Sequence, residues 1–142
     1  GMELRVLLAV IADTNQFELM RREINEDVFE SSEAKQLFII LEDCYQQKNL
    51  SFSSICEHCK DPKLTRLITE GVMSGEYSQN TEKIIRDGIE IIKGKNLKRQ
   101  MDYIIERLKV LKNPSTPEQI KEFNSLMKEK MNIDRLVCSK KN

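Results

Sequence analysis

Apolar residues recur along this 142-residue chain at steps of three and four, the spacing of one face of a helix. Glu3 to Asp13 is apolar at Leu4, Leu7, Leu8, Val10 and Ile11, dense enough for a buried first helix. Thr14-Asn15 closes it and can cap a short second helix whose inward positions are Phe17, Met20 and Ile24. After a turn at Asn25-Glu26-Asp27, Ser31 or Ser32 caps a helix reaching Gln47, with Leu37, Phe38, Ile40, Leu41 and Tyr45 on a broad apolar face. That helix is expected to be the centre of the first half. A weaker helix over Ser51 to Cys59 follows, with Phe52, Ile55, Cys56 and Cys59 at helical spacing. Asp61-Pro62 is an N-cap followed by a first-turn proline. It opens a helix with Leu64, Leu67, Ile68 and Val72 on one side, and Gly71 and Gly75 are read as marking its end.

The longest periodic stretch is Asn80 to Asn113. Ile85, Ile89 and Ile92 form one set, and Leu97, Met101, Ile104, Leu108 and Leu111 another. The step of five between Ile92 and Leu97 rotates the stripe, and Gly94 and Asn96 stand at the shift as the place for a break. Unbroken from Thr81 to Lys112, such a helix would be ~48 Å long, more than a small domain needs across its core. It is therefore read as serving two packing partners, the bundle and a projecting hairpin. Thr116-Pro117-Glu118-Gln119 starts a last helix with a capping residue, a proline and a glutamine at N3. Ile120, Phe123 and Met127 are expected on one apolar stripe, which Met131 can extend and Ile133, Leu136 and Val137 continue. With only Asn113, Pro114 and Ser115 between them, these helices should fold back antiparallel. The expected fold is all-α, a compact helical bundle over 3–92 followed by a helical hairpin over 93–142. Two helices bury about ten apolar side chains, and ordering them cancels most of the ~1.5 to 3 kcal/mol each supplies. The hairpin should be mobile or stabilised by a partner.

Composition narrows this reading. Charged residues make up 32% of the chain, aromatics 6%, and Trp is absent, which suits a helical protein with an aliphatic core. No apolar run approaches the ~20 residues that span a bilayer, and no signal segment is visible once Gly1-Met2 is set aside as an added start, so no membrane association and a cytoplasmic location are expected. The net charge is zero, but residues 1–78 hold 8 Lys/Arg against 14 Asp/Glu and residues 79–142 hold 15 against 9. That segregation suits a two-part molecule with differently charged faces.

Candidate chemistry is sparse. Cys56-Glu57-His58-Cys59 invites a zinc reading, in which Cys44, Cys56 and Cys59 are joined by His58 or Cys138 as the fourth ligand. Cys56 and Cys59 lie one helical turn apart, however, and His58 points elsewhere. Small buried thiols and a solvated imidazole are the expected state, with no metal and no cofactor. One histidine, no glycine-rich phosphate loop and no nucleophile elbow leave no catalytic residue to nominate. Lys93, Lys95, Lys98 and Arg99 form a basic cluster that could meet phosphates, but only Tyr103 is at hand for base stacking. A solvated helix face is the expected reading, and direct nucleic-acid contact is not.

In order, ELRVLLAVIA, DVFESSEAKQLFIILEDC, DPKLTRLITEGVMSGEY, IIRDGIEIIKGKNLKRQMDYIIERLK and TPEQIKEFNSLMKEK resemble the C-terminal, helicase-binding domain of bacterial DnaG-type primase. The resemblance implies a helical bundle similar to the N-terminal domain of the DnaB-type replicative helicase, then a hairpin, here Leu97 to Val137, that docks on that helicase. It also implies a parent DNA primase whose primer synthesis and template recognition lie in preceding domains, leaving this portion a non-catalytic adaptor of the primosome. Partner contacts are expected outside the hairpin's own seam, at Leu126, Lys130 and Met131, with the tip residues Asn113 and Pro114 nearby. Competing readings are the N-terminal domain of the helicase itself and a basic helical nucleic-acid-binding module. A homodimer with exchanged hairpins is a further form the hairpin allows.

Overall fold

A computed structural model describes residues 1–141, with side chains through Cys138. Among the described residues there are seven α-helices and no strand: α1 (Met2–Ala12), α2 (Phe17–Glu23), α3 (Ser32–Gln46), α4 (Phe52–His58), α5 (Pro62–Met73), α6 (Thr81–Val110) and α7 (Pro117–Lys141), with short 3-10 turns at Thr14–Gln16 and Glu26–Val28. The fold is all-α. None of these helices is long and apolar enough to cross a membrane. The chain packs as two compact units, Gly1–Lys93 and Gly94–Asn142, and α6 supplies residues to both.

In the first unit the caps sit where the sequence places them. Ser31 Oγ accepts from the Ala34 amide at 3.2 Å, Ser51 Oγ from the Ser54 amide at 3.1 Å, and Asp61 Oδ1 from the Lys63 amide at 3.0 Å. Each satisfies one of the amides that a helix start leaves without an intrahelical partner. Gly75, at φ 70°, takes the left-handed conformation that ends α5 and turns the chain.

α3 packs against both α1 and α4, as a central helix should, but α1 is the more completely enclosed. All six residues from Val6 to Ile11 are buried, whereas α3 buries one face, Ala34, Leu37, Phe38, Ile40, Leu41 and Cys44. A run of Leu, Ala, Val and Ile is apolar all round, so it can be enclosed on every side. The role of Gly71 is corrected. It lies inside α5 with Leu8 against it, where a Cβ would meet Leu8 Cδ1 at 3.0 Å, so it admits close packing rather than ending a helix. Phe17 sits between Phe38 and Tyr45, at centroid separations of 5.6 and 5.8 Å. Arg21 lies 4.3 Å over the Tyr45 ring and pairs with Glu42, Nε to Oε2 at 3.0 Å.

The suspected break at Gly94 and Asn96 is absent. α6 is one hydrogen-bonded helix of 30 residues. A single glycine in a helix interior costs about 1 kcal/mol relative to alanine, which its neighbours readily offset. The register shift is real nonetheless. Ile85, Ile89 and Ile92 are buried in the core of the first unit, while Leu97, Met101, Ile104, Leu108 and Leu111 pack in that of the second.

Candidate protein-interaction site

The second unit is an antiparallel helical hairpin, and its seam follows from spacing. On α6 and its end, Leu97, Met101, Ile104, Leu108 and Leu111 step by four, three, four and three. That strict heptad keeps a stripe facing one partner. The matching register on α7 is Phe123, Leu126, Lys130, Ile133 and Val137. Ile104, Leu111, Leu126 and Ile133 are the buried core, with Leu97, Met101, Leu108 and Phe123 half-buried around it. Arg107 clasps Glu122 across the seam with both ends of its guanidinium, Nη2 to Oε2 at 3.1 Å. This fork-to-fork geometry fixes the register of the two helices. The hydrogen bond to Arg107 holds the Glu122 carboxyl below its ordinary value, and the Arg107 guanidinium is raised in turn by the bond to Glu122. The start of α7 is a reciprocal capping box. Thr116 Oγ1 accepts from the Gln119 amide at 3.1 Å, and Gln119 Oε1 accepts from the Ser115 and Thr116 amides at 3.0 and 3.3 Å.

The expected stripe of α7 is therefore displaced. Ile120 and Met127, expected on one stripe with Phe123, are exposed instead, and Met131, which the sequence also offers to a partner outside the seam, is 55% exposed. Leu126, expected to face a partner, is only 7% exposed and belongs to the seam. Lys130 is half-buried at a seam position with its ammonium 3.3 Å from Asp134 Oδ2, so its stem covers the seam while its charge reaches water. That lysine interrupts the apolar repeat of α7, so its heptad does not show in a pattern of apolar residues alone. The register of α6 could have recovered it, since a 3.5-residue seam requires the same repeat on its partner. Of the residues nominated for a partner, Met131 and Asn113 are exposed and Pro114 is half-buried in the connection between the helices.

The basic cluster is not a single patch. Lys93 lies in the first unit with its ammonium 2.8 Å from Glu23 Oε2 and 3.9 Å from Glu90 Oε1, and the bond to Glu23 raises its pKa. Lys95 and Lys98 are exposed, Arg99 is half-buried with Nη2 3.4 Å from Asn96 Oδ1, and at the helical twist these three span about 100° of α6. Tyr103 is exposed.

The cysteines belong to the bundle's packing or lie free. Cys44 and Cys59 are buried, Cys56 is half-buried and Cys138 is exposed, none in a disulfide. Burial, and then the neighbouring Cys59, raise the Cys56 thiol, which favours the neutral thiol over the nucleophilic thiolate. His58 differs from the solvated imidazole expected, because its Nδ1 donates to the Ser54 carbonyl at 2.8 Å. Among the described residues no three His, Cys, Asp or Glu side chains gather where they could hold a metal ion.

Exposed apolar side chains occur in both units, Ile39, Phe52, Met73 and Ile91 in the first, and those of the hairpin stand beside the thinner core. Ile105, Ile120, Met127 and Met131 are exposed apolar side chains beside a core of four buried residues. At the open end, Leu97, Met101, Ile133 and Val137 line a shallow groove of about 500 Å³ with Lys98 and Asp134 at its rim.

Among known proteins, the chain is 34% identical over 132 residues to the DNA primase of Treponema pallidum (strain Nichols), a match that takes in 93% of this chain and 22% of that protein. The chain thus spans about a fifth of the length of the relative it matches. No family model matches it, and no solved structure does. Over nearly its whole length, then, this chain is related to a segment of a DNA primase, and the likeness is consistent with a primase C-terminal domain.

Proposed function

We propose that this chain is a non-catalytic protein-interaction domain of a cytoplasmic DNA primase, which binds the DnaB-type replicative helicase and couples primer synthesis to unwinding. In this reading the first unit, through Lys93, is the bundle subdomain, and the second, from Gly94, is the hairpin subdomain that makes the contact. The observation that carries it is the hairpin's imbalance: four buried core residues support two long helices, while Ile105, Ile120, Met127 and Met131 stay exposed. Apolar side chains left in water beside a thin core gain by completing their burial on another protein. The likeness to a DNA primase names the setting in which such a contact is useful. The mechanism is tethering. Holding a polymerase near the fork raises its effective concentration there without new chemistry. A modest interface dissociates readily, which suits repeated priming.

The test is binding of the chain to the replicative helicase of the same source. Replacing Met127 and Met131 by Asp should weaken binding at least about tenfold, the scale expected when two apolar contacts are lost, with circular dichroism unchanged. Wild-type affinity in that variant would overturn the assignment of the hairpin as the contact surface.

A further inference from the structure

The solvent side of α7 carries two parallel rows. At 100° per residue, Ile120, Met127 and Met131 fall within about 40° of one another. Lys121, Lys128 and Arg135 fall within a similar arc, about 80° further round and away from the seam. All six side chains are exposed. The cations stand seven residues apart, about 10.5 Å along the axis. Of the hairpin's six carboxylates three are already taken, Glu122 by Arg107, Glu106 by Lys109 and Asp134 by Lys130, while Asp102, Glu118 and Glu129 make no ion pair among the described residues. Residues 94–142 hold 12 Lys/Arg against 6 Asp/Glu. Lys121, Lys128 and Arg135 make no ion pair among the described residues.

We infer that α7 docks an acidic amphipathic helix of the partner, whose apolar face covers Ile120, Met127 and Met131 and whose carboxylates, repeating every seven residues, meet Lys121, Lys128 and Arg135. The inference rests on the helicase-binding reading and adds to it the chemistry of the partner surface. An apolar row flanked by one sign of charge at heptad spacing is the complement of a helix with the opposite flank, the arrangement by which paired helices select partner and register. A nucleic acid would satisfy the cations but leave the aliphatic row against a polar backbone, and neither row holds an aromatic side chain for base stacking. A bilayer surface would need a wider apolar face than three side chains, and the adjoining face of α7 is closed by the seam.

The test compares the whole chain with its K121E/K128E/R135E variant for binding to the replicative helicase at 50 and 300 mM NaCl, with anionic vesicles and a single-stranded oligonucleotide as competing probes. The reversed residues are surface positions, and circular dichroism and the melting curve verify the fold. Wild type should bind more weakly at the higher salt. The variant should lose at least about 100-fold at low salt and regain part of it at high salt, as like charges are screened. A zero-length carbodiimide should join Lys121 and Lys128 to partner carboxylates seven residues apart on one helix. Helicase binding that is salt-insensitive and within twofold in the variant would overturn the inference while leaving the helicase reading intact. Charge-dependent binding to vesicles or oligonucleotide alone would replace the protein helix with that ligand. No helicase binding by wild type would remove the underlying reading.

Discussion

At the scale of single residues, packing distance decides what a glycine is for. A Cβ on Gly88 would come within 2.2 Å of Val6 Cγ2, whereas one on Gly94 would meet nothing within 4 Å. Both glycines lie inside α6, so intrinsic propensity favours alanine at each by about 1 kcal/mol. At Gly88 the clash with a β-branched side chain on α1 outweighs that gain. Gly88→Ala should destabilise the bundle by about 1 to 3 kcal/mol, and Gly94→Ala should raise stability by up to about 1 kcal/mol. Urea unfolding of the two variants, read as midpoint shifts of opposite sign, checks the pair. Glu3 is a second case. Its two carboxylate oxygens accept from the Glu30 and Ser31 amides, each at 2.9 Å, pinning α1 to the entry of α3. Nothing in the spacing of Glu3 announces this contact, because it joins segments 27 and 28 positions apart.

At the scale of elements, the hairpin register is the feature most open to measurement. Leu126 fills the seam and Met131 lies in water, so their truncations should differ. Leu126→Ala should cost about 2 kcal/mol, at the low end for a buried leucine because the hairpin can partly collapse. Met131→Ala should stay within about 0.5 kcal/mol. Hydrogen exchange over residues 97–137, followed by mass spectrometry, distinguishes these outcomes from the opposite register. The Arg107–Glu122 clasp adds a pH dependence. A carboxyl held below its ordinary value of 4.5 by its partner stabilises the folded form above that value, and the stabilisation is lost as pH falls through the depressed one. Glu42, lowered mainly by its bond to Arg21, has the same sign in the bundle. In thermal unfolding, Glu122→Gln should melt below wild type at pH 7, and the gap should close as pH falls through the depressed Glu122 value. A gap that persists in acid would mean that the clasp acts through packing rather than charge.

At the scale of the whole molecule, two units with unequal cores share one chain. Among the described residues the bundle has 24 buried hydrophobics and the hairpin has four, so burial, the main favourable term in folding, is concentrated in the first. Unfolding should therefore be non-coincident, with residues 97–137 losing protection at lower denaturant than α1 and α3. A single transition by both probes would contradict it. A partner that binds the hairpin should raise the first transition selectively.

Helix number, caps and much of the core were legible in the chain because they are local. A serine or aspartate accepts from amides two or three residues on, and an apolar repeat identifies a face without reference to its neighbour. The likeness to a primase was likewise legible as an order of such segments. The tertiary structure decided what depends on a second element: that α1 rather than α3 is enclosed, that Gly71 and Gly88 admit Leu8 and Val6, and that Tyr77 is buried. It also decided which of two apolar rows on α7 faces α6, since Leu126 and Met131 are alike in a list of hydrophobic positions and differ only in what lies opposite. The physical reason is that periodicity measures one helix at a time, whereas burial is a property of pairs.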